Sequence, residues 1–142
     1  MAGQVALGSL LLFVTTIVHS ACSVGAIRAL RSAHFERRGF DTFLRQALPI
    51  ALLVLLLFYA AVMEAAIWAG AYVAVGAIPD WEPALYFSIV TYTTLGYGDV
   101  TLDPSWRLMA SFEAANGTIM FGWSTALIIS FVQRVRDGRK DS

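Results

Sequence analysis

Thr93-Thr94-Leu95-Gly96-Tyr97-Gly98-Asp99 lies between two long apolar runs and offers its chemistry in the main chain rather than in side chains. Gly96 and Gly98, one residue apart, permit positive φ, so the backbone can alternate its hand and point successive carbonyl oxygens in one direction. An L-residue at those two positions would be strained. Neutral oxygens lined up about an axis can replace the hydration shell of a monovalent cation without trapping it, and the Thr94 hydroxyl can add a further ring of ligands. The stretch therefore reads as an ion-selectivity filter. The competing reading is a glycine-rich turn between two membrane helices.

These seven contiguous residues resemble the signature of tetrameric potassium channels, with Leu95 where the commonest form of that signature has Val. The resemblance implies that backbone carbonyls of Thr94, Leu95, Gly96 and Tyr97, together with the Thr94 hydroxyl, are the K+ ligands. Thr93 and Gly98 would then support the filter, the Tyr97 ring would face outward as a strut, and Asp99 would sit at the outer mouth. Tyr86 and Phe87 would form an aromatic cuff by the same resemblance, although generic interfacial aromatics look alike in sequence. Val90 stands where some bacterial members carry a glutamate that bonds the filter aspartate.

A filter must be held by elements that live in a bilayer, and the composition fits one. Of 142 residues 58% are hydrophobic and 14% charged, against about a quarter charged in a soluble domain. A first apolar run, Val5 to Ile27, is long enough to cross a hydrocarbon core needing roughly 20 helical residues. A cleaved signal sequence is the weaker alternative, because Met1-Ala2-Gly3-Gln4 gives no basic start and His19 interrupts the required aliphatic stretch. His19 is read as bonded to a neighbouring carbonyl or a lipid headgroup, and Cys22 as a small buried hydrophobe. The role of this helix does not follow from the sequence; its expected place is the periphery, packed on the next helix.

The connection over 28–46 contains Arg28, Arg31, Arg37, Arg38 and Arg45, and the tail contains Arg134, Arg136, Arg139 and Lys140, leaving only Arg107 elsewhere. The positive-inside rule makes both segments cytoplasmic and the N-terminus external, in a multi-pass plasma or inner membrane protein. Basic faces there suit anionic lipid headgroups; nucleic acid is excluded as a partner because acids are interspersed and the loop is pinned to a membrane.

The second run gives an outer helix over 47–75, with Pro49 in its first turn and an end before Gly70 or Gly76. Glu64 interrupts it about 25 Å along. A carboxyl at that depth must be protonated, hydrogen-bonded or turned toward protein, either pairing behind the filter or reaching the interface. Pro79-Asp80-Trp81-Glu82-Pro83 announces a pore helix over 83–93, too short to span and therefore re-entrant. The filter occupies 94–99. The inner helix covers 106–135, followed by a tail over 136–142. Glu113 lies two turns into that helix, and a cluster of Glu113, Asn116 and Glu64 behind the filter or at a subunit contact is a hypothesis of the sequence. Gly117 and Gly122 match inner-helix glycines of the resembled family, where the first is a gating hinge; close helix packing is the equal alternative. Thr118, Phe121 and Thr125 share a helix face, which by alignment lines the cavity.

The expectation is thus an all-α membrane protein with an extra N-terminal helix over 1–27 and a pore domain over 47–135. Each subunit would hold three transmembrane helices, a re-entrant pore helix and a filter. One pore loop cannot enclose an axis, so four identical copies are required. The expected activity is passive K+ conduction, with K+ as permeant ion and no organic cofactor. A weakly selective cation channel and a nonconducting membrane sensor are the alternatives, the latter suggested by the glutamates in apolar helices. Regularly spaced arginines of a voltage sensor are missing, and no nucleophile and base share a depth, so an enzyme is not expected.

Overall fold

The structure is a computed structural model that describes residues 2–32 and 42–137. Its elements are four helices: α1 (Ala2–Ser32), α2 (Thr42–Ala74), α3 (Trp81–Tyr92) and α4 (Arg107–Asp137). Three of them contain spans apolar and long enough to cross a membrane, Ala2–Leu30, Ala47–Ala74 and Arg107–Arg134. α3, with 12 residues, extends about 18 Å and cannot cross. The chain is a multi-pass, all-helical membrane protein.

Several boundaries differ from the sequence expectation: α3 starts at Trp81 rather than 83, α4 runs to Asp137 rather than 135, and the end of α1 and the start of α2 move most. The connection expected over 28–46 is helical on both flanks, because Arg28 to Ser32 continue α1 and Thr42 to Gln46 open α2. Ala, Leu and Arg are good helix formers, and nothing in either flank breaks a helix. Residues 33–41, with Arg37 and Arg38, lie outside the described residues, as do 138–142 of the tail. Because α2 starts early, Pro49 falls inside the helix rather than in its first turn. α2 continues through Gly70 and ends at Ala74; Gly76 takes a φ of +70°, and Ala77 N–H returns to the Tyr72 carbonyl at 2.9 Å.

The core lies where α1, α2, α3 and the outer half of α4 meet. Trp68, Tyr72, Tyr92 and Met109 are fully buried there, and Tyr72 meets Phe87 edge-on at 5.3 Å. α1 packs on α4 as well as on α2, not on the outer helix alone. Gly8, Leu11, Thr15, His19, Ser23 and Ala26, spaced three and four apart, form its buried stripe. This stripe is small and polar, so α1 approaches its neighbours closely by hydrogen bonding rather than by bulk. At one end Gln4 donates to the Ser105 carbonyl, and at the other Ile27 and Arg134 line one crevice, so α1 and α4 are parallel in sequence direction.

Candidate functional site: the re-entrant loop and its support

Asp80, extended at φ −103° and ψ 140°, precedes α3, and its carbonyl accepts the Ala84 N–H at 3.1 Å. Glu82 in the first turn suits the positive end of the helix dipole. After Thr93 the chain turns back along α3. Thr94 N–H donates to the Thr91 carbonyl at 2.9 Å; Leu95 and Gly96 N–H share the Val90 carbonyl at 2.9 and 3.2 Å. The Thr93 hydroxyl donates to the Ile89 carbonyl at 2.7 Å. The start of the loop is therefore bolted to the last turn of α3.

Within the loop, φ is positive at Thr94 (60°), Gly96 (55°) and Gly98 (78°) and at neither residue between them. Every second residue is left-handed, the alternation that lets successive carbonyls face one side. Glycine makes this cheap at two positions. Thr94 is β-branched and costs about 1–2 kcal/mol there, held by the three N–H bonds around it. The sequence named Thr94 as a candidate ligand and Gly96 and Gly98 as left-handed positions, but not the left-handed backbone of Thr94, since nothing in a threonine announces a positive φ. Thr94, Leu95, Gly96, Tyr97 and Gly98 are all exposed in the single chain, Tyr97 by 66%. A groove of about 260 Å³ behind them is lined by Tyr86, Val90, Thr91, Gly96, Asp99 and Arg107, among others.

Asp99 returns to α3: Tyr86 Oη donates to Oδ2 at 2.7 Å and the Val100 N–H to Oδ1 at 3.0 Å. The Tyr86 hydrogen bond, more than any other influence, holds the Asp99 carboxyl below the usual range. Asp103 is lowered in the same way by Ser105, whose hydroxyl and N–H both donate to Oδ1. Tyr86 and Phe87 therefore divide their duties. Tyr86 is an exposed donor to Asp99, whereas Phe87 is buried against Tyr72.

The buried acids do not form the single cluster expected. Glu113 accepts from Tyr72 Oη at 2.7 Å and bonds Ser88. Ser88 Oγ also lies 2.6 Å from the Ala65 carbonyl, and one hydroxyl hydrogen cannot serve two acceptors at once. The Ser88 hydroxyl therefore divides its one hydrogen between the Ala65 carbonyl of α2 and the Glu113 carboxyl of α4. Glu64 instead accepts from Tyr92 and pairs through Oε1 with His19 Nδ1 at 2.9 Å. Asn116 joins neither acid; its amide donates to Thr15 Oγ1 at 2.7 Å. His19, 1% exposed, is thus a protein-bonded residue and not one that reaches a headgroup. Glu64 likewise turns inward and does not reach the interface. The four-residue spacing of Thr15, His19 and Ser23 was the available signal for a protein-facing stripe on α1.

On α4, Gly117 is buried against the end of α3: a Cβ there would lie 1.9 Å from the Tyr92 carbonyl oxygen. Gly122 has open space around it. Of the two readings of Gly117, the structure gives it a packing role. Thr118, Phe121, Gly122 and Thr125 are exposed in the single chain, with the threonine hydroxyls bonded to Ala114 and Phe121 carbonyls of their own helix at 3.0 and 2.8 Å.

Residues 51–134, more than half of the chain, match the sequence profile of a family described as an ion channel. The chain belongs to this ion-channel family. No curated protein and no solved structure matches the channel. The matched region opens in α2 and closes near the end of α4, so it contains the re-entrant loop and excludes α1.

Proposed function

We propose that this ion channel is potassium-selective and that it conducts through a fourfold assembly of identical subunits, with the backbone carbonyls of Thr94, Leu95, Gly96 and Tyr97 and the Thr94 hydroxyl as ligands of K+. The observation that carries this reading is the alternation of left-handed backbone at Thr94, Gly96 and Gly98. A loop so built presents a row of carbonyl dipoles, and a row on one subunit becomes a cage only when copies surround an axis. The exposure of the whole loop and of the Thr118–Thr125 face of α4 supports that assembly. Thr93, Gly98 and Asp99 then buttress the filter, Thr118, Phe121, Gly122 and Thr125 line the cavity below it, and the outer helix, pore helix and inner helix make one pore domain.

Orientation follows from the arginines: the connection between α1 and α2 and the tail face the cytoplasm, and the N-terminus faces outward in the cell membrane. The Gln4 contact with Ser105 supports this, because it joins the N-terminal end of α1 to the loop beyond the filter. Glu64 and Glu113, which suggested a nonconducting sensor, are both satisfied by bonds within the subunit and need no such role. Purified protein in liposomes should collapse a K+ gradient and leave a Na+ gradient standing, and cross-linking in detergent should stop at four subunits. Equal Na+ and K+ flux would favour a weakly selective cation channel, and no flux from verified tetramers would end the conduction reading.

A further inference from the structure

The family match stops at the pore, yet α1 reaches the filter's foundation through bonds of its own. His19 of α1 joins Glu64 of α2 at 2.9 Å; Glu64 takes the hydroxyl of Tyr92, the last residue of α3; and the other ring nitrogen of His19 meets Ser124 Oγ of α4 at 3.3 Å. Four helices therefore converge on one bonded chain, and Trp123 fixes the imidazole edge-on at 5.7 Å. Tyr92 is clamped at every end. Its phenol is held by Glu64, its ring meets that of Phe121 edge-to-face with centroids 5.9 Å apart, and its carbonyl leaves no room for a Cβ at Gly117. The N–H groups of Thr93, Thr94, Leu95 and Gly96 hang from the carbonyls of the three residues just before it. Any shift of that last turn is transmitted to the alternating backbone.

We propose that α1 is a working part of the filter's support: His19 and Glu64 are positioning residues that fix Tyr92 and thereby hold the alternating loop at the geometry that discriminates K+ from Na+. The inference rests on the filter reading of 93–99. A polar chain in hydrocarbon is a poor way to gain stability, since well-packed apolar residues of similar volume commonly do as well or better. What such a chain supplies is direction, because each bond has one partner at one distance and angle. Removing His19 leaves Glu64 Oε1 without its partner across α1, and the carboxyl then turns away from the geometry that aims Tyr92. Removing the Tyr92 hydroxyl severs the same chain at its other end.

The test compares full-length wild type with His19→Gln, Glu64→Gln, Tyr92→Phe and the double variant His19→Gln/Tyr92→Phe in planar bilayers, reading the K+/Na+ permeability ratio from reversal potentials and oligomer yield from detergent chromatography. Thr16→Val is the control on α1, since that hydroxyl only returns to the Leu12 carbonyl of its own helix at 2.7 Å. Each single variant should lower the ratio about three- to tenfold, the scale of one lost hydrogen bond, at unchanged oligomer yield, with Thr16→Val like wild type. The double variant should be no worse than Tyr92→Phe alone, because both break one chain. Wild-type ratios in the single variants, or losses that multiply in the double, overturn the proposal. Should a glutamate or histidine variant fail to assemble, Tyr92→Phe, which deletes one oxygen, decides the matter. A wild type that does not distinguish K+ from Na+ strikes the filter reading itself, and this proposal with it.

Discussion

Just after the glycine loop, the Tyr86 hydroxyl does most to set when Asp99 carries charge. Tyr86 donates to the carboxylate and depresses its pKa, so the pairing is complete above the ordinary carboxylate range near pH 4 and is lost as pH falls through the lowered value of the folded protein. Tyr86→Phe removes the donor and lets Asp99 rise toward its ordinary value, so neutralisation begins at a higher external pH. The expected outcome is an acid-inhibition curve for current whose midpoint moves up in Tyr86→Phe. A midpoint shared with wild type would mean that Asp99 is held by something other than Tyr86. At this scale the sequence was legible where residue type dictates backbone, as at Gly96 and Gly98. It was illegible where geometry comes from a partner: Thr94 is left-handed because of the bonds around it, and Asp99 finds Tyr86 across 13 positions rather than the Val90 side chain, which cannot donate.

Among the elements, α4 comes against the end of α3 with no room for a side chain at Gly117. At Gly117 a methyl group would meet the Tyr92 carbonyl oxygen at 1.9 Å, and that oxygen belongs to backbone that cannot rotate aside. Gly117→Ala should force the two helices apart and cost about 1–3 kcal/mol, read as a lowered thermal midpoint in detergent. Gly122→Ala, with nothing near its Cβ, should keep the wild-type midpoint. Equal midpoints for the two would return Gly117 to the hinge reading. The helices themselves were plain in the hydropathy, because each apolar run matches a bilayer crossing and the short run after Pro79 does not. Their ends were not plain: arginines mark where a chain leaves the membrane, but they do not end a helix, and α1 continues through Arg28. Nor could the runs reveal which residues meet. His19 and Glu64 are 45 positions apart, and Asn116 and Thr15 are 101 apart, so periodicity could give the buried stripe on α1 and not its partners.

For the whole molecule, exposure divides into two kinds that differ in composition. Leu52, Val54, Leu55, Leu56, Phe58 and Tyr59 of α2 are exposed and almost entirely apolar, as a lipid-facing surface should be. The exposed face of α4 instead interleaves Thr118, Gly122 and Thr125 with Phe121, and its hydroxyls fold back onto their own helix, where they can also meet water. In a fourfold assembly that face looks onto an aqueous cavity, whereas in a lone subunit it would look onto hydrocarbon. Thr125→Cys and Thr118→Cys, built on a Cys22→Ser background, should therefore lose current to a charged, water-soluble thiol reagent applied from the cytoplasmic side. Val54→Cys, at a residue 46% exposed on the apolar face of α2, should not react if that face meets lipid. Equal protection of all three would mean that no water column runs beneath the filter, and reaction at Val54→Cys alone would place the aqueous path on the other side of the subunit. The comparison reads the environment of the two faces directly, because a thiol ionises and reacts in water and stays inert in hydrocarbon.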